Sequence, residues 1–157
     1  MDYAIRQLLP SETGTLKRLL AVFGEAFANV PTYQHAVPAD AYLESLLAKT
    51  HVIVLVAANS AGEVAGGLVA YELDKFEQDR REIYIYDLAV SESHRRRGVA
   101  TALIRTLQRI AGERNAYVIF VQADHGDTPA IRLYESLAGV REDVYHFDIP
   151  VATHVSK

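Results

Sequence analysis

Four residues near the middle of the chain invite a chemical reading first: Arg95, Arg96, Arg97 and Gly98, in the stretch "HRRRGVATALI" (residues 94–104). Three guanidinium groups precede a glycine, and the glycine precedes a small and apolar run with helical spacing. The first backbone N–H groups of a helix lack internal partners and carry roughly half a positive charge, so such an end binds anions. Gly98 lets the backbone approach a ligand with no Cβ in the way, and small Ala100 keeps the first turn open. Arginines alongside add planar, bidentate donors suited to phosphate. The stretch therefore reads as a diphosphate grip, made of Arg95, Arg96 and Arg97 with the amides of Gly98, Val99, Ala100 and Thr101. Its spacing separates it from other phosphate loops: the chain has neither G-x-x-x-x-G-K-[ST] nor G-x-G-x-x-G. What stands here is Arg95-x-x-Gly98-x-Ala100.

The segment that leads into this loop, "EIYIYDLAV" (82–90), is the strongest strand pattern in the sequence. Strict alternation puts Ile83, Ile85, Asp87 and Ala89 on one face, where an aspartate is costly if buried and unpaired. A β-bulge, common next to active sites, is the device that would re-aim it. The six histidines are scattered, with no pair at metal-ligand spacing, and no metal is expected.

The elements that must position these residues follow from periodicity. "YAIRQLL" reads as a short strand. "SETGTLKRLLAVFGEAF" reads as a helix with Ser11 at its N-cap. Residues 28–38, bracketed by prolines, read as a loop, and "ADAYLESLLAKT" as a second helix. "HVIVLVAANSAGEVAGGLVAYELD" is two β-rich runs around Asn59–Gly62, a hairpin signal. After a charged loop and the 82–90 strand comes a helix from about Arg97, with Val99, Leu103, Leu107 and Ile110 on one stripe. "AYVIFVQAD" is a near-continuous apolar strand, as expected for one covered on both faces. A final helix opens with Asp127 as N-cap and Pro129 in its first turn, and Gly139 closes it. "VREDVYHFDIPV" supplies one or two more strands. The result is a mixed α/β sheet with helices on its faces, in which a right-handed strand–helix–strand unit spans 82–123.

Composition narrows the classes. The chain has 157 residues, half of them hydrophobic, and a formal net charge of −4. That length fits one domain, 1–157. The absence of cysteine excludes disulfides and thiolate metal sites. Neither a signal peptide nor an apolar run approaching a membrane span is readable, so no membrane association and a cytoplasmic location are expected. The acidic balance disfavours phosphate polymers and favours cationic partners.

Arg95-x-x-Gly98-x-Ala100, with Gly98 eight residues after the end of "LAV", resembles the pyrophosphate signature of the GNAT superfamily of N-acetyltransferases. A second stretch, Asp127-Thr128-Pro129-Ala130-Ile131-Arg132-Leu133-Tyr134, is similar to that family's later N/D-x-x-A-x-x-L-Y helix, with Gly139 one residue later than usual. "DKFEQDRREIYIYDLAV", "AYVIFVQADHGDTPA", "VYHFDI" and "VPTYQHAVPADAYLESLL" look like the type I aminoglycoside 3-N-acetyltransferases. The resemblance implies a GNAT fold, mostly antiparallel, with one splayed strand pair. It implies acetyl transfer from acetyl-CoA to a cationic small-molecule amine, the 3-amino group of an aminoglycoside, and hence antibiotic resistance.

It also implies roles. Pantetheine lies along Leu88, Ala89 and Val90, and an amide of Ala89 or Val90 polarises the thioester carbonyl. Asp127 and Ala130 adjoin the cofactor. Tyr134 protonates the leaving thiolate, or is a packed tyrosine. Asp87 takes the amine proton. Tyr33, His35, Tyr84 and Tyr86 are candidate walls of the acceptor site. Anions for a polycation come from among Glu77, Asp79, Asp124, Glu142, Asp143 and Asp148, with Asp124, Glu142 and Asp148 preferred. A homodimer is expected by resemblance alone. Three other readings stay open: a GNAT enzyme of a polyamine or other small amine, a non-catalytic acetyl-CoA sensor, and a nucleic-acid-binding module using "HRRR". The last lacks the interleaved aromatics and basic face expected for it, so no nucleic-acid partner is expected.

Overall fold

A computed structural model describes residues 2–152, which fall into two compact units, 2–124 and 125–152. The first unit carries the sheet. Its elements are β1 (Tyr3–Gln7), α1 (Thr13–Ala26), α2 (Val30–Gln34), α3 (Asp40–Leu47), β2 (Val52–Asn59), β3 (Val64–Asp74), β4 (Arg81–Val90), α4 (Val99–Glu113) and β5 (Ala116–Val121). The strands lie in the order β1-β2-β3-β4-β5. The first four are antiparallel, and β5 joins β4 in parallel after the α4 crossover. This is the mixed α/β sheet that the sequence implies. No helix among the described residues is long and apolar enough to cross a membrane.

Each sheet face is buried by helices. On one face Val52, Val54, Val56 and Ala89 pack with Leu16, Leu19 and Phe23 of α1 and Leu43 and Leu47 of α3. The other face is fully apolar at Ile53, Leu55, Leu68 and Ile83, matched by the buried stripe Val99, Leu103, Leu107 and Ile110 of α4. The apolar 3.6-residue period of α4 is what lets it lie on a two-sided strand pattern.

Four local expectations are corrected. Helix α1 begins at Thr13, with Glu12 rather than Ser11 at its N-cap. The Glu12 carboxylate is tied instead to Arg6, 2.6 Å away, and to the Leu9 amide at 2.8 Å. The 28–38 loop contains a one-turn helix, α2, because the Asn29 side chain accepts from Thr32 N and Pro31 fits the first turn. Gly24 of α1 makes room for it: a Cβ there would meet Gln34 Nε2 at 2.9 Å and Tyr33 Cβ at 3.3 Å. Strand β5 ends at Val121 and is not covered on both faces, since Tyr117, Val118 and Phe120 stay partly exposed. Among the described residues it is an edge strand, paired only with β4.

The second unit holds α5 (Thr128–Ser136), with Asp127 Oδ1 accepting from Ala130 N at 3.1 Å. Its C-terminus explains the displaced glycine. Ala138 N–H bonds Glu135 O, and Gly139 N–H bonds Tyr134 O at 3.0 Å, so Ala138 takes the left-handed position with φ +64°. A non-glycine there costs about 1–2 kcal/mol. Ala138→Gly is expected to raise the stability of this helix end by about 0.5–1 kcal/mol, read as slower hydrogen exchange of the Gly139 amide. Faster exchange would contradict this geometry. Residues 140–151 form no strand. Tyr145, Phe147, Ile149 and Val151 alternate as a strand would, yet are 79–90% exposed. Alternation gives only a tendency; a strand exists when a neighbour completes its ladder.

Candidate active site

The site grows from the carboxyl end of β4. The β3–β4 register runs Ala70↔Ile85 and then Val69↔Asp87, so Tyr86 is the extra residue of a β-bulge. The bulge shifts the alternation. Ile83 and Ile85 share the α4 face with Ala70, whereas Asp87 and Ala89 pair with Val69 and Gly67 and turn to the α1–α3 face. The expectation that these four share one face is thereby corrected, by the bulge that the same reasoning had named.

There Asp87 meets α2: Tyr33 Oη donates to Asp87 Oδ2 at 3.0 Å. Burial raises the Asp87 carboxyl above its usual range, and the Tyr33 hydrogen bond holds it back in part. Burial, with the Asp87 charge beside it, also pushes the Tyr33 phenol up. Tyr33 is itself held by an edge contact with Phe23 of α1 and a tilted one with Phe27 at its C-cap. The result is a half-buried carboxylate whose basicity is raised and whose direction is fixed by one phenol. Such a group is suited to accept a proton from a bound amine.

A row of aromatic rings runs away from Asp87. Tyr86 stands 62% exposed and meets Tyr71 and Tyr84 edge-on at 5.8 Å. Tyr84 stacks flat on Phe120 at 4.8 Å and donates to Gln122 Oε1. Tyr71, Phe120 and Gln122 escape a sequence reading; the signal for Tyr71 is its register opposite Tyr84, visible only once β3 and β4 are paired. Ring faces and phenols of this kind attract cations.

Beside the row, the sheet forks. The β4–β5 pairing stops at Ile85↔Val121 while β4 continues to Val90. In an antiparallel pair each residue's N–H and C=O point the same way, alternately toward and away from the partner. Ser91 N bonds Ala65 O of β3, so residues 89 and 91 face β3 and residues 88 and 90 face the fork. Of the two amides considered for carbonyl polarisation, Val90 has its N–H on the open side and Ala89 does not.

The arginine loop, from which a diphosphate grip is expected, closes this end. A short 3₁₀ turn (Glu92–His94) leads to Arg95, exposed Arg96 and Arg97, and Gly98 at the N-cap of α4. Gly98 has φ +79° and Arg96 +60°, so the loop turns through two left-handed residues. Glycine serves here for its backbone freedom as well as its missing side chain. No side chain caps α4, and the first helical bond is Ala102 N–H to Gly98 O. The amides of Val99, Ala100 and Thr101 thus lack helical partners. Arg95 is less free than expected: its Nε donates to Val90 O at 3.0 Å.

The remaining expected residues divide. His35 follows α2 and is exposed. Asp124 follows β5 at the strand end that lies beside the fork, because β5 is parallel to β4. Glu77 and Asp79 sit at the β3–β4 hairpin tip, at the opposite end of a ten-residue strand, roughly 30 Å away. Glu77 is moreover paired with Arg80 at 3.1 Å. They are not brought to the site. Asp127, Ala130, Tyr134, Glu142, Asp143 and Asp148 belong to the second unit. Asp127 caps α5 through the Ala130 amide, and Asp148 pairs with His146 at 2.9 Å. Burial, with the Asp127 charge, pushes the Tyr134 phenol up to about 12. Among the described residues no three His, Asp or Glu side chains converge as a metal site requires.

Comparison with known proteins gives this geometry a family. Residues 17–140 match the Acetyltransferase (GNAT) family. The aminoglycoside acetyltransferase HMB0005, from an uncultured soil metagenomic sample, is 55% identical, with a TM-score of 0.93 over 97% of this chain and 100% of that one. The aminoglycoside acetyltransferase meta-AAC0020, of similar origin and solved with sisomicin, is 27% identical, with a TM-score of 0.88 over 96% and 97% of the two chains. N-acetyltransferase family 8 member 2 of Rattus norvegicus is 27% identical over 90 residues, 57% of this chain and 39% of that protein. The chain thus matches well under half the length of that curated relative.

Proposed function

The chain belongs to the GNAT acetyltransferase family, and on that premise we propose that it acetylates the 3-amino group of an aminoglycoside, using acetyl-CoA, and so confers antibiotic resistance. The observation that carries this reading is the Tyr33–Asp87 pair set where β4 forks from β5, next to the uncapped start of α4. The kinship with HMB0005 and meta-AAC0020, both aminoglycoside acetyltransferases, supports the substrate class.

Acetyl-CoA supplies an activated acyl group and a good leaving thiolate. The chain's own residues do the rest. Arg96, Arg97 and the Val99–Thr101 amides hold the diphosphate. Leu88 and Val90 present N–H groups along the fork for an extended pantetheine arm, with Ala89 beside them in the strand. The Val90 N–H stabilises negative charge growing on the thioester oxygen. Asp87 accepts the amine proton, Tyr33 fixes its direction, and Tyr134 donates a proton to the leaving sulfur. Tyr84 and Tyr86 line the acceptor side, with Asp124 as an anion for the remaining ammonium groups. The chain acts as a single acetyltransferase domain over 1–157, in the cytoplasm, as a homodimer; light scattering in solution tests the last point.

Because Arg95 also holds Val90 O, Arg97→Ala is the cleaner probe of the grip. Loss of one charge-assisted bond is expected to raise the acetyl-CoA dissociation constant about ten- to a hundredfold. Acetyl-pantetheine, which has no diphosphate, is expected to feel no penalty; an equal penalty with both donors removes Arg97 from the grip. The function itself is tested by incubating the protein with acetyl-CoA and gentamicin, kanamycin or spermidine and locating the acetyl group by mass spectrometry. Acetylation at the 3-amino position of the aminoglycosides is expected. Acetylation of spermidine alone would replace the substrate class, and binding of acetyl-CoA with no turnover on any amine would replace the enzyme by a sensor.

A further inference from the structure

His94 is the one polar or charged side chain buried among the described residues, at 8% exposure. It belongs to no part of the mechanism above, yet stands directly before the arginine loop. A buried imidazole is costly unless its nitrogens are partnered; one here has a hydrogen-bond partner and the other faces a carboxylate. Tyr3 Oη lies 2.8 Å from Nδ1, with the two rings edge-to-face at 5.6 Å. Nε2 lies 3.5 Å from Glu63 Oε2. That same Glu63 oxygen accepts from Asn59 Nδ2 at 2.9 Å, which fixes it on the β2–β3 turn. A neutral ring that accepts from Tyr3 at Nδ1 directs its Nε2–H at Glu63.

The loop needs such a tie. Its last ladder bond to β3 is Ser91 N–H to Ala65 O, and α4 does not begin until Val99. Between them Arg96, a non-glycine, holds a left-handed conformation, which persists only where the surroundings over-determine it. The Arg95 bond to Val90 O ties the loop to its own strand. Among the described residues, His94 is the side chain of the loop that ties it beyond its own strand, to the edge strand β1 and to the β2–β3 turn.

We infer that Tyr3, His94 and Glu63 form a polar tether that sets the diphosphate loop, with His94 a positioning residue for diphosphate recognition. The inference rests on the acetyl-CoA reading above. Loosening the tether moves the Val99–Thr101 amides and arginines relative to the fork, and recognition by several donors at once is sensitive to such shifts. The fork, Asp87 and the acceptor side are untouched.

The test compares Tyr3→Phe, which removes one hydroxyl and keeps the ring, and His94→Gln with the parent protein, using acetyl-CoA and acetyl-pantetheine as donors. For acetyl-CoA, KM is expected to rise about five- to twentyfold for loss of one buried bond, with kcat at saturation within about twofold. With acetyl-pantetheine, both variants are expected to match the parent. An equal loss with both donors, or no change with either, overturns the tether. A variant that does not fold leaves the decision to the other, and failure of both to fold assigns the trio to core stability instead. A parent protein that uses both donors equally well overturns the diphosphate reading itself, and the tether with it.

Discussion

Asp87→Asn is expected to lower kcat/KM for the proposed aminoglycoside substrates by roughly 10²–10⁴, the range for loss of a general base, with acetyl-CoA affinity at the parent value. The substitution keeps an oxygen that can accept from Tyr33 and removes the anion. Two further readings separate catalysis from architecture. The first is stability. The folded-state carboxyl is raised by burial, so the native state binds its proton more tightly than the unfolded chain does. Its contribution to stability is then greatest at low pH and is lost as pH rises through the raised value. At neutral pH the buried charge is a cost, and Asn removes it. The melting temperature should therefore hold or rise. A fall of several degrees would make Asp87 an anchor of the sheet. The second is pH. The parent's kcat/KM is expected to rise with the ionisation of Asp87, with an acid limb above the usual carboxylate range. The variant should lose that limb and climb instead at high pH, where free amine arrives without needing a base. A variant with an unchanged profile would exclude Asp87 as the base.

Tyr134→Phe removes one hydroxyl and little volume. With the phenol held near 12, it keeps its proton throughout the working range and can donate it to a departing thiolate. Turnover is expected to fall roughly 10²–10⁴-fold with loss of that acid, with acetyl-CoA binding nearly unchanged. The deficit should shrink for an acyl donor with a more acidic leaving thiol, which departs without help. A fully active, folded Phe variant would leave Tyr134 as a packed side chain of α5.

What the sequence makes legible here is whatever is encoded locally. The α4 stripe, the Asn59–Gly62 turn and the 82–90 strand each rest on a period or turn signal within one segment, and each is where it was expected. The glycine before α4 is also local, although its positive φ is a fact of the fold. What stays hidden depends on partners. "YIYD" alternates without a break, so the bulge at Tyr86 comes from how β3 is set against it, not from β4 alone. Helix α2 is too short for a periodic signal; its trace was Asn29 followed by Pro31. Residues 140–151 alternate like strands, but a ladder partner is non-local information. Glu77 and Asp79 were candidate anions for the acceptor, and the Arg81–Asp87 stretch of β4 separates them from Asp87. Tyr3 and His94 lie 91 residues apart, and nothing in either neighbourhood points to the other.

The extra residue at Tyr86 acts as a half-wavelength phase slip in a strand whose side chains oscillate with period two. Upstream of it, odd-numbered residues belong to the α4 layer; downstream, odd-numbered residues belong to the opposite layer. One ten-residue strand thus serves two interiors in succession. A one-residue insertion between Ile85 and Asp87 that keeps a single bulge would exchange those layers: the carboxylate would move opposite Leu68 into the apolar packing under α4, and Tyr86 would take its place opposite Val69. The same insertion before Glu82 can be absorbed in the exposed hairpin tip. Tolerance to single-residue insertion along this segment should therefore change abruptly within a few positions, a boundary that a scanning insertion library scored for folding would locate at the slip.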